Sequence, residues 1–223
     1  MPEPDDDIVV IEEELEPITR EQGEEHPELL ADPAAASEGI LDYEDPERFA
    51  ALELEAIEDL LADDDGEGGD EEGGAAPPIS RHQRDALLLA LTQKGIRETP
   101  PGSNANKYSA YFGFGAQFWC ADFVAWALDR TGNQDKEVPW GYPSAVVNIL
   151  AWGQENELVR HNPRKGDIFV KKPHSHTGLV IRADGTSFTT IEGNTSGPDG
   201  DVYVATHERD NADRDYHFIR HHF

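Results

Sequence analysis

The chain has 223 residues and a formal net charge of −28 at pH 7, and nearly all of that charge lies in its first third. Residues 1–78 hold 29 acidic side chains against two arginines and no lysine, whereas residues 79–223 hold 17 acidic against 16 basic side chains. This change in charge at about residue 78 predicts an acidic tail followed by one near-neutral domain. It excludes nucleic acid as a partner, since the tail repels phosphate and the domain shows no basic stripe.

The chain contains one cysteine, which excludes an internal disulfide framework. The first residues carry neither a basic region nor an apolar stretch of signal-peptide length, and no segment approaches the roughly 20 apolar residues of a membrane span. We therefore expect synthesis in the cytoplasm without membrane insertion. Any action outside the cell would then need a lysis pore, an injection device or a particle.

The acidic tail, residues 1–78, has too little apolar surface to offset the entropy of ordering and is expected to be mostly disordered. Two segments differ from the rest. The β-branched run Ile8–Ile11 could add to a sheet edge. Residues 46–62 have helical spacing and form either a transient helix or a helix that docks on a partner or on the chain's own domain. Residues 63–78 are expected to be a linker.

Residues 79–223 begin with helical patterns and continue with short strands. Ser80 can cap a first helix that stops near Gly95, and a second helix runs from Cys120 to a stop at Gly132. A short helix is expected around residues 144–152. The expected strands are 167–170, 177–182, 188–191, 202–205 and 216–220. Helices followed by strands predict an α+β domain with an antiparallel sheet.

The single cysteine, Cys120, is predicted to lie where a loop turns into a helix. Free backbone N–H groups and the helix dipole stabilise a thiolate at such a position, and the same N–H groups can bind an oxyanion. These properties suit a nucleophile. The alternative is a buried structural cysteine, which is common because the side chain packs as a small apolar group.

Two later motifs supply partners for a nucleophilic cysteine. His176 opens a predicted strand, although His174 lies two residues away and can face the same way. On the following strand, Glu192 and Asn194 are two residues apart and can share a face. Either of them can accept the second ring N–H of the histidine and so fix its tautomer.

These motifs, in this order, resemble the CHAP family of cysteine, histidine-dependent amidohydrolases/peptidases, which is related to NlpC/P60 proteins. The motifs are WCADFVAW, GDIFV, HTGLVI and TIEGNTS. The approach to the cysteine, from Pro100 to Tyr108, is also similar to that in CHAP domains of phage lysins. The resemblance implies a papain-like α+β fold over residues 79–223, with the cysteine helix packed on an antiparallel sheet.

The resemblance also implies roles for single residues. Cys120 attacks an amide carbonyl, His176 acts as base and then as acid, and Glu192 and Asn194 orient the histidine. Gln117, three residues before the cysteine, is a candidate oxyanion donor. Some relatives bind calcium through an acidic loop before the cysteine, but residues 108–119 contain no acid here. Asp122 alone cannot hold such a cation, so no metal and no cofactor are expected, and Asp122 is interpreted as a charge favoured by the helix dipole.

The function implied is cleavage of an amide bond in peptidoglycan, at the muramoyl-L-alanine amide or within a stem or cross-bridge peptide. The setting expected is a lysin that acts at the bacterial cell wall and belongs to a phage or phage tail. The alternative is a structural component of a phage particle or injection device whose acidic tail mediates assembly with other particle proteins. An intact cysteine and histidine favour the enzyme.

Overall fold

The computed structural model describes residues 8–9, 11, 15–26, 57–58, 79–196 and 201–222. Of the helix predicted at 46–62, only Ile57 and Glu58 are described, and both are helical. The predicted linker at 63–78 lies outside the described residues. None of the helices in the described ranges is long and apolar enough to cross a membrane.

The described residues form five helices and six strands. The helices are α1 (Arg20–Glu25), α2 (Arg81–Leu91), α3 (Lys107–Tyr111), α4 (Cys120–Thr131) and α5 (Val146–Glu155). The strands are β1 (Val159–Arg160), β2 (Ile168–Lys171), β3 (His176–Asp184), β4 (Ser187–Ser196), β5 (Val202–Asp210) and β6 (Tyr216–Ile219).

All six strands join one antiparallel sheet in the order β1-β6-β2-β3-β4-β5. The predicted α+β class with an antiparallel sheet is therefore confirmed. The five predicted strands are present, but β3, β4 and β5 run several residues further than predicted because they continue past polar positions into long hairpins. The short edge strand β1 was not predicted.

Helix α4 lies at the centre of the domain and is buried on all sides along Cys120–Asp129. It packs against α2 and against strands β3 and β4 of the sheet. Small residues allow this close contact: a Cβ on Gly193 of β4 would lie 2.6 Å from atoms of Phe123 and Trp119. Cys120, the first residue of α4, therefore lies on a helix that packs against the central strands of the sheet.

Helix α2 begins where the sequence predicts. Ser80 and Gln83 form a reciprocal capping box, in which each side chain accepts a hydrogen bond from the other residue's backbone N–H. The helix ends at Leu91, four residues before Gly95, and turns bridge the gap. Its buried face holds Ala86, Leu87, Ala90 and Leu91.

Residues 15–26 of the tail pack against the domain, and they include a short helix. Thr19 and Gln22 form a second capping box at the start of α1. Leu15 and Ile18 pack against the main core, and Gly23 lies against the ring of Tyr142. The acidic composition of the whole tail obscured these few apolar anchors.

The beginning of the tail also contacts the domain near the outer edge of the sheet. The backbone N–H of Val9 donates to the carbonyl of Val159 in edge strand β1 at 3.2 Å. The side chain of Gln154 donates to the carbonyl of Ile11 at 2.5 Å. The first of these bonds is of the kind expected for the β-branched run at a sheet edge.

Candidate active site

Cys120 is the first residue of α4, and its side chain is only 1% exposed. No side chain caps this end of the helix. The N-cap residue is Trp119, whose indole N–H donates instead to the buried carboxylate of Glu98 at 3.0 Å. The first backbone N–H groups of α4 therefore keep their capacity to donate to a group beside the thiol.

Burial raises the pKa of the Cys120 thiol to about 12, although hydrogen bonds from the backbone N–H groups of Thr177 and Ala121 oppose the rise. The negative charges of Asp122 and Glu192 add to the increase in pKa. The bond from Thr177 also shows that the sulfur lies beside the start of β3. In this enclosed state the thiol keeps its proton at neutral pH, so a base has to take that proton when the sulfur attacks.

His176 is the first residue of β3 and is fully buried. Its Nε2 donates to Oε2 of Glu192 at 2.7 Å. Its Nδ1 has no hydrogen-bond partner among the described residues and is left as the proton acceptor. His174, the other candidate, lies in the preceding turn with φ of 90°. The structure thus pairs His176, and not His174, with the acidic residue.

The carboxylate of Glu192 is fully buried and receives hydrogen bonds from two side chains besides His176, with the ring of a second histidine nearby. Arg209 on β5 donates through Nε to Oε1 and through Nη2 to Oε2, both at 2.6 Å. The hydroxyl of Thr190 donates to Oε1, and Nε2 of His207 lies 3.9 Å from Oε2. Burial favours the neutral acid, but Arg209 and the two histidines outweigh it and hold the pKa of Glu192 well below its usual value.

Asn194 lies at an irregularity in β4, where the pairing with β5 shifts between Glu192 and Thr195. Its backbone has a φ of 57°, and its buried Nδ2 has no hydrogen-bond partner in the described part of the chain. The structure thus gives the second ring N–H of His176 to Glu192. A contribution of Asn194 to orienting the histidine stays a prediction.

The side-chain amide of Gln117 is bonded within the fold, and its predicted oxyanion role stays a prediction. Its Nε2 donates to Asp122 at 2.9 Å and to Ser144 at 2.6 Å, and these two bonds occupy both amide hydrogens. The loop before α4 turns this side chain toward the helix's own first turn. The donors beside the sulfur are backbone N–H groups, those of Ala121 at the start of α4 and of Thr177 on β3.

Asp122 is also more than a charge placed at a helix start. It is fully buried and accepts hydrogen bonds from the hydroxyls of Ser109 and Ser144 as well as from Gln117. Burial raises the pKa of its carboxyl, and these three neutral donors oppose the rise. The residue ties α3 and the loop after α4 to the first turn of α4. Within the described ranges, no three His, Cys, Asp or Glu side chains form a group that could hold a metal ion.

A buried thiol at a helix start without a side-chain cap, close to a strand whose first imidazole is bonded to an ionised carboxylate, is an arrangement typical of cysteine- and histidine-dependent hydrolases. Comparison with known families narrows this class. Residues 110–194 match the CHAP domain, and the match spans Cys120, His176, Glu192 and Asn194. This stretch is therefore similar to CHAP domains, which are typically amidohydrolases or peptidases of peptidoglycan. No curated protein and no solved structure matches the chain.

Arg209 was not recognised from the sequence, and it lies beyond the matched segment. One signal was available. In Thr206–Asp210 the strand alternates, so Arg209 shares a face with His207 while Glu208 points to solvent. A buried arginine on a strand requires an acidic partner, but its identity depends on which strands are neighbours.

Proposed function

We propose that the chain is a peptidoglycan amidase or endopeptidase that works through Cys120, His176 and Glu192. The observation that supports this most directly is the hydrogen bond from Nε2 of His176 to Glu192, which leaves Nδ1 unprotonated next to the strand position that contacts the thiol. A general base in that tautomer can take the proton of the thiol.

The reaction proceeds in two halves. The proton of the Cys120 thiol moves to Nδ1 of His176 as the sulfur bonds to the amide carbonyl carbon, and the oxyanion accepts hydrogen bonds from backbone N–H groups at the start of α4. Collapse breaks the C–N bond, and the imidazolium gives its proton to the leaving amine. Water then adds to the thioester with His176 as base, which releases the acid and restores the thiol.

The enclosure of the site bears on how substrate reaches it. Cys120 is 1% exposed and His176 is fully buried. Binding of a muropeptide therefore requires a movement that makes the sulfur more accessible than it is in this structure. Because the pKa of the thiol is raised mainly by burial, the same movement would lower it toward the value of a free cysteine.

The deciding experiment is digestion of purified cell walls by the full chain, with soluble muropeptides identified by mass spectrometry. New glycan free of stem peptide would indicate an amidase, and new free amino termini within the peptides would indicate an endopeptidase. Cys120→Ala should remove all product without loss of folding, which circular dichroism can check. A Cys120→Ala variant as active as the wild type would refute the proposal.

For the biological setting we propose a phage or phage-tail-associated lysin, on the basis of the similarity between residues 100–108 and the approach to the cysteine in phage lysin CHAP domains. The alternative is a particle component that uses its acidic tail for assembly. Residues 15–26 pack on the chain's own domain, which favours a tail that serves the enzyme over that stretch. Copurification of the chain with intact particles would support the particle role, and activity of the isolated chain on walls would support the lysin.

A further inference from the structure

Arg209 donates two parallel hydrogen bonds to Glu192, and this geometry fixes the orientation of the carboxylate as well as balancing its charge. The planar guanidinium contacts both carboxylate oxygens at 2.6 Å, and both side chains are almost fully buried. A bidentate pair of this kind holds the carboxylate plane at one angle. The oxygen that receives Nε2 of His176 is one of the two oxygens fixed in this way.

From this arrangement we infer that Arg209 is a positioning residue of the hydrolase site: it holds Glu192 in the orientation and ionised form that keep Nδ1 of His176 free to accept the thiol proton. This inference rests on the proposed function for its link to catalysis. Arg209 itself touches neither the thiol nor the imidazole through any described hydrogen bond, and it acts through Glu192.

Loss of Arg209 would change where protons sit on Glu192 and His176. A buried carboxylate without its cation becomes easier to protonate. A protonated Glu192 can donate to Nε2 of His176, and the ring proton then moves to Nδ1, the nitrogen that is otherwise the proton acceptor. In that tautomer the imidazole cannot accept the thiol proton, so the site loses its base while its residues stay in place.

Other charged and titratable groups face Glu192, and none replaces Arg209. Cys120 on α4 and His176 on β3 are the reacting pair. On β5, Nε2 of His207 lies 3.9 Å from Oε2 and is engaged with the hydroxyl of Thr195 at 2.9 Å. On β6, Tyr216 accepts a hydrogen bond from Arg209 at 3.2 Å and does not reach the carboxylate through a described bond. Arg209 is the permanent cation of this cluster.

The side chains around Arg209 are suited to a guanidinium group. Its Cζ lies 5.4 Å from the ring centre of Phe169 and 5.8 Å from that of Tyr216. Aromatic faces favour a delocalised cation and leave no room for a hydrated ammonium group. Lysine at this position would retain the charge but lose the two parallel bonds.

A matched control exists elsewhere in the sheet. Arg220 pairs with the buried carboxylate of Asp167 at 3.2 to 3.3 Å, at the end of β2 opposite to the strand position that pairs with His176. Arg220→Met therefore removes a buried arginine from a buried acid without touching the site. It separates loss of general stability from loss of positioning.

The experiment compares full-length wild type, Arg209→Met, Arg209→Lys and Arg220→Met. Two quantities are measured: the pH profile of kcat/KM for wall hydrolysis, and the downfield NMR signal of the His176 ring N–H, assigned by its loss in His176→Ala. Arg209→Met should lower kcat/KM at neutral pH by about 10- to 100-fold. It should also move the acid limb of the profile upward by about one pH unit or more and remove the downfield signal.

Arg209→Lys should lie between wild type and Arg209→Met, and Arg220→Met should keep the wild-type profile and signal. If Arg209→Met does not fold, Arg209→Lys tests the inference in its place. A wild-type pH profile and a wild-type NMR signal in Arg209→Lys would overturn the inference. The same shift in Arg220→Met would overturn it too. If the wild type does not hydrolyse walls, the proposed function fails, and the NMR signal alone still decides whether Arg209 positions Glu192 and His176.

Discussion

Asn148 on α5 binds the backbone of Ile18 in both directions. Its Oδ1 accepts from the N–H of Ile18 at 2.6 Å, and its Nδ2 donates to the carbonyl of the same residue at 2.9 Å. This is the pairing that a neighbouring strand would provide, supplied here by one side chain. It fixes the tail to the domain immediately before α1.

We expect Asn148→Ala to release residues 15–26 from the domain. The loss of two hydrogen bonds at a partly buried site should lower the free energy of unfolding by about 1 to 3 kcal/mol. The released segment should also become accessible to protease. Trypsin cleavage after Arg20, within α1, should be faster than in the wild type and can be followed by mass spectrometry.

Asn156→Ala is the control for this prediction, because Asn156 donates only to the carbonyl of Trp152 in its own helix end, at an exposed position. It should leave cleavage after Arg20 unchanged. A second release variant is Gly23→Ala, whose added Cβ would lie 2.3 Å from a ring atom of Tyr142. Equal cleavage rates in all four proteins would show that the segment is not held by these contacts.

The native thiol should be a slow nucleophile in the absence of substrate. Because burial raises the pKa of Cys120 to about 12, the thiolate is scarce at neutral pH, and alkylation should be at least about tenfold slower in the native protein than in the protein unfolded by guanidinium. Cys120 is the single cysteine, so mass spectrometry counts the product without ambiguity. A native thiol that reacts faster than the unfolded one at pH 6 would instead indicate a stable thiolate–imidazolium pair.

Replacing Glu192 by glutamine should destabilise the fold most at neutral pH. The change leaves Arg209 buried without its anion, a loss of about 3 to 5 kcal/mol in the free energy of unfolding. The folded-state pKa of Glu192 is depressed, so its stabilising effect is complete above the unfolded value of about 4.3 and is lost as the pH falls through the folded value. The difference between wild type and Glu192→Gln should therefore shrink below about pH 4.3.

Glu98→Gln is the appropriate comparison. Glu98 is equally buried, but it accepts from neutral donors, the indole of Trp119 and the backbone N–H of Asn104, each at 3.0 Å. Its removal leaves no cation uncompensated, so the cost in urea unfolding should be smaller. Equal costs for the two variants would mean that the Arg209 pair adds nothing to stability.

Features encoded within a few residues were predictable from the sequence. The capping box at Ser80, the helix that begins at Cys120 and the stop at Gly132 all depend on local periodicity and turn residues. The class of the sheet followed from the order of helices and strands. The extension of β4 to Ser196 did not, since its later residues are polar and are buried by neighbours distant in sequence.

Features that depend on long-range pairing were missed for a physical reason. Arg209 contacts Glu192 only because β5 pairs with β4 in the sheet. No local sequence pattern indicates which strands pair. The same holds for Ile18, whose partner Asn148 is 130 residues away. Gln117 is a further case: its distance along the chain from Cys120 suits an oxyanion donor, but the sequence does not indicate that its amide binds Asp122 and Ser144.

Gln117→Ala tests whether this residue is an oxyanion donor. An oxyanion donor contributes about 100- to 1,000-fold to kcat, whereas a residue that only supports Asp122 should cost less than about tenfold. We expect the smaller effect, together with a fall of about 1 to 3 kcal/mol in the free energy of unfolding, because Asp122 loses one of its three donors. Ser144→Ala removes a second donor to the same carboxylate and should give a similar pair of values. A loss of about 100-fold in Gln117→Ala alone would support the oxyanion role.

Close packing between β4 and α4 should matter for both folding and catalysis. A Cβ at Gly193 would lie 2.6 Å from atoms of Phe123 and Trp119, which are buried on the helix that carries Cys120. Gly193→Ala should therefore force α4 away from the sheet and lower the free energy of unfolding by about 1 to 3 kcal/mol.

Gly115→Ala is the control, since a Cβ there meets nothing within 4 Å. If thermal unfolding and wall hydrolysis respond equally to the two changes, the contact between α4 and β4 does not set the position of the thiol. A larger loss in Gly193→Ala, with activity falling more than stability alone explains, would show that it does.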